Sequence, residues 1–284
     1  MAHDPALDTW RLPATDRCWW CGDLATTEEH RFKHSTLRRV GRTSSGVVDP
    51  KKVFKKSDDF EGPLLTLKKG AQVKWRKSMC APCNNTRSQP FDMAYDAMET
   101  FLVDHADQMS SWRRLAWTDV YGTDWEQGAA DLGRYFAKQM CCMLATQQLP
   151  IPDDLIAFLD GAPRCPSVAF TLCRNWRTAD LHRILRRDGR PQGATTIVGL
   201  LTSTAYQRDG QFSGLDYGYR IGYVQFSGDW SAGSDRVSWW ESPEVDLPLV
   251  GGGLRGRVDW SLSKVRLRLA GGGLLSLVEA ASDI

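Results

Sequence analysis

Two Cys-x-x-Cys pairs, Cys18-Trp19-Trp20-Cys21 and Cys80-Ala81-Pro82-Cys83, constrain the N-terminal third of this chain more than any other feature. Four thiolates in two short-spaced pairs form a closed tetrahedral zinc site. Such a site holds a small irregular segment rigid where a hydrophobic core of that size cannot. The 58 residues between Cys21 and Cys80 are then a tethered excursion. A disulfide framework fits less well, because Cys141 and Cys142 are neighbours that cannot easily bridge each other and Met1-Ala2-His3-Asp4-Pro5 lacks the basic and apolar regions of a secretory signal. No run of about 18 apolar residues is present to span a membrane. The expectation is a cytoplasmic protein with no membrane partner, in which Cys141, Cys142, Cys165 and Cys173 are small buried hydrophobes.

The net charge of +2 hides an uneven distribution. Residues 1–90 carry 17 Lys and Arg against 10 Asp and Glu, and the remainder is acidic. Between the Cys pairs lie Arg38, Arg39, Lys51, Lys52, Lys55, Lys56, Lys74, Arg76 and Lys77, a stretch suited to a polyphosphate partner; Lys33 and Arg87 extend it.

After His30 the chain passes a Ser, Thr and Gly-rich stretch, and the alternation of Leu64 to Trp75 around Lys69-Gly70 predicts a basic hairpin. Phe91, Tyr95, Met98 and Leu102 fall at helical spacing, predicting a helix from about Pro90 to Gln108, with Asp92 and Asp96 on another face. Pro90 belongs in its first turn and Ser88 is a candidate cap. Asn84 then sits on a short separate turn beside the metal. Ala129–Leu149 and Asp153–Leu159 read as core helices between Gly and Pro breaks. From Ser167 the text turns β-rich: Val168–Leu172, Thr195–Leu201, Tyr217–Phe226, Val237–Trp240 and Val265–Leu269. Residues 1–17 form a polar lead-in, and the 12 tryptophans are read as core anchors in preference to base-stacking platforms.

Within the first unit, His30 of Glu28-Glu29-His30 lies nine residues beyond the candidate zinc ligand Cys21, and Asn84-Asn85 follows the last cysteine directly. Hydrolysing a phosphodiester requires a water, a group to take its proton, and a cation to neutralise charge on the phosphate and the departing oxygen. His30 has the ordinary pKa, about 6.5, of a base that works at neutral pH. Glu29 and the side-chain carbonyl of Asn84 are oxygen donors for a hard cation. His34 reads as a surface or phosphate-contacting residue, and His3, His105 and His182 as structural or exposed.

Taken together, Cys-x-x-Cys-Gly, Thr-Glu-Glu-His and Cys-x-x-Cys-Asn resemble the HNH, or ββα-metal, endonuclease family in its four-cysteine, zinc-containing form, over about residues 18–100. The resemblance implies that the acid-His step lies on the first strand of a hairpin and that the second Cys pair turns into a short helix. It makes His30 the general base, Glu29 and Asn84 ligands of a catalytic Mg²⁺ or Mn²⁺, and Cys18, Cys21, Cys80 and Cys83 ligands of a structural Zn²⁺, with Asn85 and Asp92 as lesser candidates for the metal shell. Three features depart from the family pattern. No Asn occurs between His30 and Cys80, Lys33 stands where a proline is common, and the interval between the Cys pairs is long, implying a Lys-rich insert over residues 51–77.

The expected architecture is α+β: a zinc-stapled ββα nuclease unit (1–105), a helical connector (106–163) and a β-rich C-terminal domain (164–284) that serves target choice or a protein partner. The expected activity is one-metal hydrolysis of DNA. The competing readings are a non-catalytic zinc module that binds nucleic acid or protein, and an RNA-cleaving effector using the same site.

Overall fold

The computed structural model describes residues 5–43, 45–57, 60–109, 111–187, 198–200, 203–222 and 224–250, with short pieces at 253, 257–258 and 261–262. Its helices are α1 (His34–Val40), α2 (Gln89–Asp104), α3 (Trp117–Tyr121), α4 (Trp125–Gln147), α5 (Asp153–Leu159) and α6 (Trp176–Arg187). Its strands are β1 (Phe54–Ser57), β2 (Phe60–Pro63), β3 (Arg114–Ala116), β4 (Val168–Asn175), β5 (Val198–Leu200), β6 (Ala205–Arg208), β7 (Gln211–Ile221), β8 (Val224–Ser231), β9 (Glu244–Asp246) and β10 (Leu249–Val250). The class is mixed α+β, as the sequence indicates. No helix among the described residues is long and apolar enough to cross a membrane.

The centre of the molecule is α4. From Ala129 to Leu144 nearly every residue is buried, so this stretch of the helix has no solvent face. A helix enclosed all round must find partners for its polar side chains. Asp131 and Arg134 pair with each other at 2.8 Å, and Arg134 also donates to the Phe158 carbonyl. The other two buried polar residues, Lys138 and Gln139, point elsewhere and return below.

One face of α4 carries Phe136, stacked on Phe226 of β8 at 4.6 Å and packed on Tyr219 of β7. These strands belong to a sheet ordered β10-β4-β8-β7-β5, with β6 also on β7; β10 runs parallel to β4 and the other pairs are antiparallel. Another side of α4 packs on α2, where Tyr95 stacks on Tyr135 at 4.2 Å. Gly133 permits a close approach, since a Cβ there would meet the Trp240 ring at 2.6 Å. A single apolar cluster therefore runs from Cys18 through α2 and α4 to Leu247, crossing the boundaries expected at 105 and 163. A smaller cluster of Leu37, Val53, Leu64, Leu67 and Val73 closes the excursion between the Cys pairs.

Several expectations hold closely. The α5 boundaries are those read from its flanking prolines and Gly, and α2 buries Phe91, Tyr95, Met98 and Leu102 as its periodicity predicts. Others need correction. Residues 64–75 form turns rather than a hairpin: Leu64 and Leu67 are buried and Leu65 is exposed, a spacing of three that no strand presents to one face. The hairpin there is β1–β2 instead. Ser88 makes no cap; its hydroxyl donates back to the Asn84 carbonyl at 2.9 Å. Tyr217–Phe226 is not one strand but the ends of β7 and β8 about a turn at Gly222, whose φ of +58° suits glycine. Trp239–Glu241 is a 3₁₀ turn capped by Ser238, not a strand. The helix α6 went unread within the β-rich third, although Asn175 Oδ1 accepts from the amides of Arg177 and Thr178, as a helix-capping side chain does. The lead-in is tied down too: Trp10 donates to the Gly210 carbonyl and packs on Phe212. The expected strand Val265–Leu269, residues 195–197, His3 and Trp260 lie outside the described residues.

Half of the 12 tryptophans are core anchors: Trp20, Trp75, Trp117, Trp230, Trp239 and Trp240 are buried, as are Cys141, Cys142 and Cys165, whereas Cys173 is half-buried. His105 is structural, its Nδ1 on the Phe101 carbonyl and its ring between Phe101 and Trp112.

Candidate active site beside a four-cysteine metal centre

Cys18, Cys21, Cys80 and Cys83 converge, all four sulfurs lying within 4.8 Å of one another and Cys21 and Cys80 at 3.5 Å. Sulfurs tetrahedrally placed about 2.3 Å from one zinc sit about 3.8 Å apart, so the cluster is sized for one ion. Each pair forms a tight turn: the Gly22 amide bonds the Cys18 carbonyl with φ +80° at Gly22, and the Asn84 amide bonds the Cys80 carbonyl. Arg87 reaches Cys83 Sγ at 3.5 Å, lies over the Trp20 ring and pairs with Asp160. Burial pushes the free Cys83 thiol well up, a cost that metal coordination removes by taking the thiolate.

The staple joins two extended segments. The amides of Thr26 and Thr27 bond the Met79 carbonyl, that of Trp75 bonds the Glu29 carbonyl, and that of Arg31 bonds the Val73 carbonyl. His30 thereby bridges Lys74 in an antiparallel pairing. The second segment enters a π-helical turn, Pro82–Arg87, and then α2, with Pro90 in the first turn of that helix. π turns are rare and recur at functional sites, because they displace one residue from the regular helical register. Here the turn carries Asn84 and Asn85.

Glu29 is largely buried, its side chain 12% exposed. Its Oε1 meets Lys138 Nζ at 3.1 Å and Gln139 Nε2 at 3.1 Å, both from α4. Its Oε2 has no hydrogen bond among the described residues. Lys138 is fully buried and also reaches Asp92 Oδ1 at 3.4 Å and Ser88 Oγ at 3.3 Å. Burial opposes charge on this ammonium, but the carboxylates of Glu29 and Asp92 outweigh it and hold its pKa up, to about 12. Burial also raises the Glu29 pKa above the ordinary carboxylate value, with Lys138 pulling it back. Gln139 in addition bonds the His30 carbonyl and accepts from the Trp75 indole at 2.8 Å, locking the segment that presents His30.

His30 is half-buried, and its Nδ1 is enclosed without a partner. Burial, then the charges of Lys74, His34 and Lys138, lower its pKa to about 4. The imidazole is therefore neutral at pH 7, but a weaker base than the ordinary histidine that the sequence suggested. The His34 ring lies 5.7 Å away. The Oδ1 of Asn84 is likewise buried and unpartnered. Asn84 lines an open pocket of about 350 Å³ with Asn85, Thr86, Gln89 and Asp92. Asp92 thus connects this pocket to Lys138 and, through it, to Glu29. Among the described residues, the four-cysteine cluster is the one group of three or more His, Cys, Asp or Glu close enough to share an ion.

The basic residues divide in two. Arg38, Lys51, Lys52, Arg76 and Lys77 are exposed and make no ion pair among the described residues. Lys33 is turned inward, its Nζ on Asp96 at 2.7 Å and on the Asp92 carbonyl, pinning the His30 segment to α2. Arg39 pairs with the buried Glu99 at 3.4 Å, Lys74 approaches Glu28, and Lys55 bonds Gln72. Arg87 contacts the four-cysteine cluster through Cys83 as described, and the Lys56 side chain lies outside the described residues.

Lys138, Gln139 and Ser88 are the members of this arrangement that sequence reasoning missed. One signal was present: Lys138-Gln139 interrupts the run Tyr135-Phe136-Ala137 and Met140-Cys141-Cys142 inside a helix enclosed by protein. Polar residues at such positions are retained for a partner, but their partner lies 109 residues away. The chain matches no protein-family model, no curated protein and no solved structure.

Proposed function

We propose that this protein is a metal-dependent endonuclease of the ββα-metal (HNH) type that hydrolyses phosphodiester bonds in DNA, its four-cysteine centre serving as a structural zinc staple. The observation that carries the reading is that each of the two segments tied by the four-cysteine cluster holds one orphaned polar atom of a proposed site residue, His30 Nδ1 on the first and Asn84 Oδ1 on the second. A buried polar atom left without a partner costs about 1–3 kcal/mol, a cost that folding tolerates where a ligand supplies the missing bond. Asn84 Oδ1 and Glu29 Oε2 are hard oxygen donors and fit a Mg²⁺ or Mn²⁺ ion. When bound, that ion supplies neutralisation of charge on the phosphate and the leaving 3′ oxygen. His30, neutral at pH 7, takes the proton of the attacking water. Arg38, Lys51, Lys52, Arg76 and Lys77 neutralise backbone phosphates along the bound strand.

A second reading, a non-catalytic zinc module that binds nucleic acid or protein, draws support from the ammonium of Lys138 already resting on Glu29 Oε1. Supercoiled plasmid incubated with Mg²⁺ or Mn²⁺ separates the two. Wild type nicks or linearises the plasmid, and His30→Ala loses about 10²–10⁴-fold in rate while keeping its zinc and its DNA affinity. Equal behaviour of the two proteins, or no cutting by either, sinks the enzyme. A structured RNA offered in parallel identifies an RNA-cleaving effector.

A further inference from the structure

The buried pair Lys138-Gln139 lies on α4, outside the residues that resemble any nuclease unit. Both side chains end on one oxygen of Glu29: Lys138 Nζ at 3.1 Å and Gln139 Nε2 at 3.1 Å from Oε1. Oε1 is thereby committed and Oε2 left open. The same ammonium reaches Asp92 Oδ1 and Ser88 Oγ, so one group ties the His30 segment to the start of α2 and to the residue whose hydroxyl holds the Asn84 carbonyl. We infer that Lys138, supported by Gln139, is a positioning residue: it orients Glu29 so that Oε2 faces the divalent ion and keeps Glu29, Asp92 and the Asn84 turn in register.

Two physical points favour this role over that of a filler charge. Lys138 has no exposed surface, and a buried ammonium is retained only where its contacts are close and specific. Groups that hold a metal ligand through its second oxygen typically contribute about 10–100-fold in metal affinity or activity. A lysine that merely repelled the incoming cation would act with the opposite sign. The inference rests on the nuclease reading for the identity of the ion's task but not for its binding.

The test uses the full-length, zinc-loaded chain with Lys138→Met and Lys138→Gln, the second retaining an N–H donor toward Oε1 without charge. Binding of Mn²⁺, followed by electron paramagnetic resonance, weakens about 10-fold or more in Lys138→Met and less in Lys138→Gln. Cleavage kinetics then show the loss in kcat with KM for DNA unchanged. In a Glu29→Gln background the Lys138→Met change costs less than about 3-fold, because a residue that acts through Glu29 has nothing left to position. Unchanged or tighter Mn²⁺ binding in Lys138→Met overturns the inference, as do effects of the two substitutions that multiply independently. If the wild type binds Mn²⁺ in this Lys138-dependent way yet cuts no nucleic acid, the positioning role stands and the nuclease reading falls. If it binds no Mn²⁺, both fall. Should Lys138→Met not fold, Lys138→Gln alone decides, weaker Mn²⁺ binding supporting the role and unchanged or tighter binding overturning it.

Discussion

The segment around His30, tied by the four-cysteine cluster, and the sheet β4-β8-β7 are stabilised by different means. The sheet is a regular antiparallel ladder whose side chains on one face, such as Tyr219 and Phe226, pack on Phe136 of α4. The stapled segment has isolated bridges instead of strands, a π turn instead of a regular helix start, and four thiols where a core would be. Yet it carries every residue assigned to chemistry except the two that α4 lends. The difference teaches that irregular backbone can aim side chains that a ladder would pair or bury, provided that external ties hold it. Here those ties are the four-cysteine cluster at one end and the polar pair Lys138-Gln139 at the other.

Zinc removal provides the harshest way to break this contrast. Apparent binding energies of structural zinc sites reach about 10–16 kcal/mol in small peptides, more than most domains have in total stability. Hydrogen exchange after chelation, or in Cys83→Ser, will show protection lost at Thr26–Arg31 and Val73–Met79 while β7 and β8 keep theirs. Simultaneous loss everywhere would mean that the two regions form one cooperative unit through their shared apolar cluster. Phe136→Ala attacks the other side of the comparison. Its ring is fully buried against Tyr219 and Phe226, and its loss will cost about 3–5 kcal/mol in urea unfolding, without altering zinc content.

A smaller effect sharpens the picture of α4 as the shared wall. Gly133→Ala drives a methyl into the Trp240 ring and will destabilise by about 1–3 kcal/mol, whereas ordinary helix propensity favours alanine. A stabilised variant would show that the helix has room to shift. The most delicate measurement concerns pH. The folded-state pKa of His30 lies near 4, below its ordinary value of 6.5, so the unfolded chain binds the extra proton first as pH falls. Its contribution to stability is therefore complete above about pH 6.5 and is lost as pH falls through 4. The difference in urea midpoint between wild type and His30→Gln will slope across that window and flatten outside it. A flat difference throughout would return His30 to an exposed, solvated role.

Much of this was legible from local pattern. Cys-x-x-Cys spacing identified the four-cysteine cluster because each pair closes its own turn, and the second pair needs only to arrive. The prolines and the apolar period set α2 and α5, since both signals act within a few residues. The excursion between the Cys pairs was misread where alternation is a poor guide: Leu64 and Leu67 bury together from a turn, and a turn obeys no period. Lys33 looked like a phosphate contact because a sequence displays its charge but not Asp96, which neutralises it from another helix.

By itself, then, the sequence determined what depends on neighbours along the chain: the four-thiol cluster, the bounds of α5, the buried face of α2 and the acid-His step placed after the first knuckle. Tertiary structure alone decided which oxygen of Glu29 is left open, which basic residues face water and which are bound inside, and that α4 completes a site begun more than a hundred residues earlier. The reason is physical. A buried ammonium is tolerable only where carboxylates meet it, and that meeting is made by packing across the chain, which no local spacing encodes.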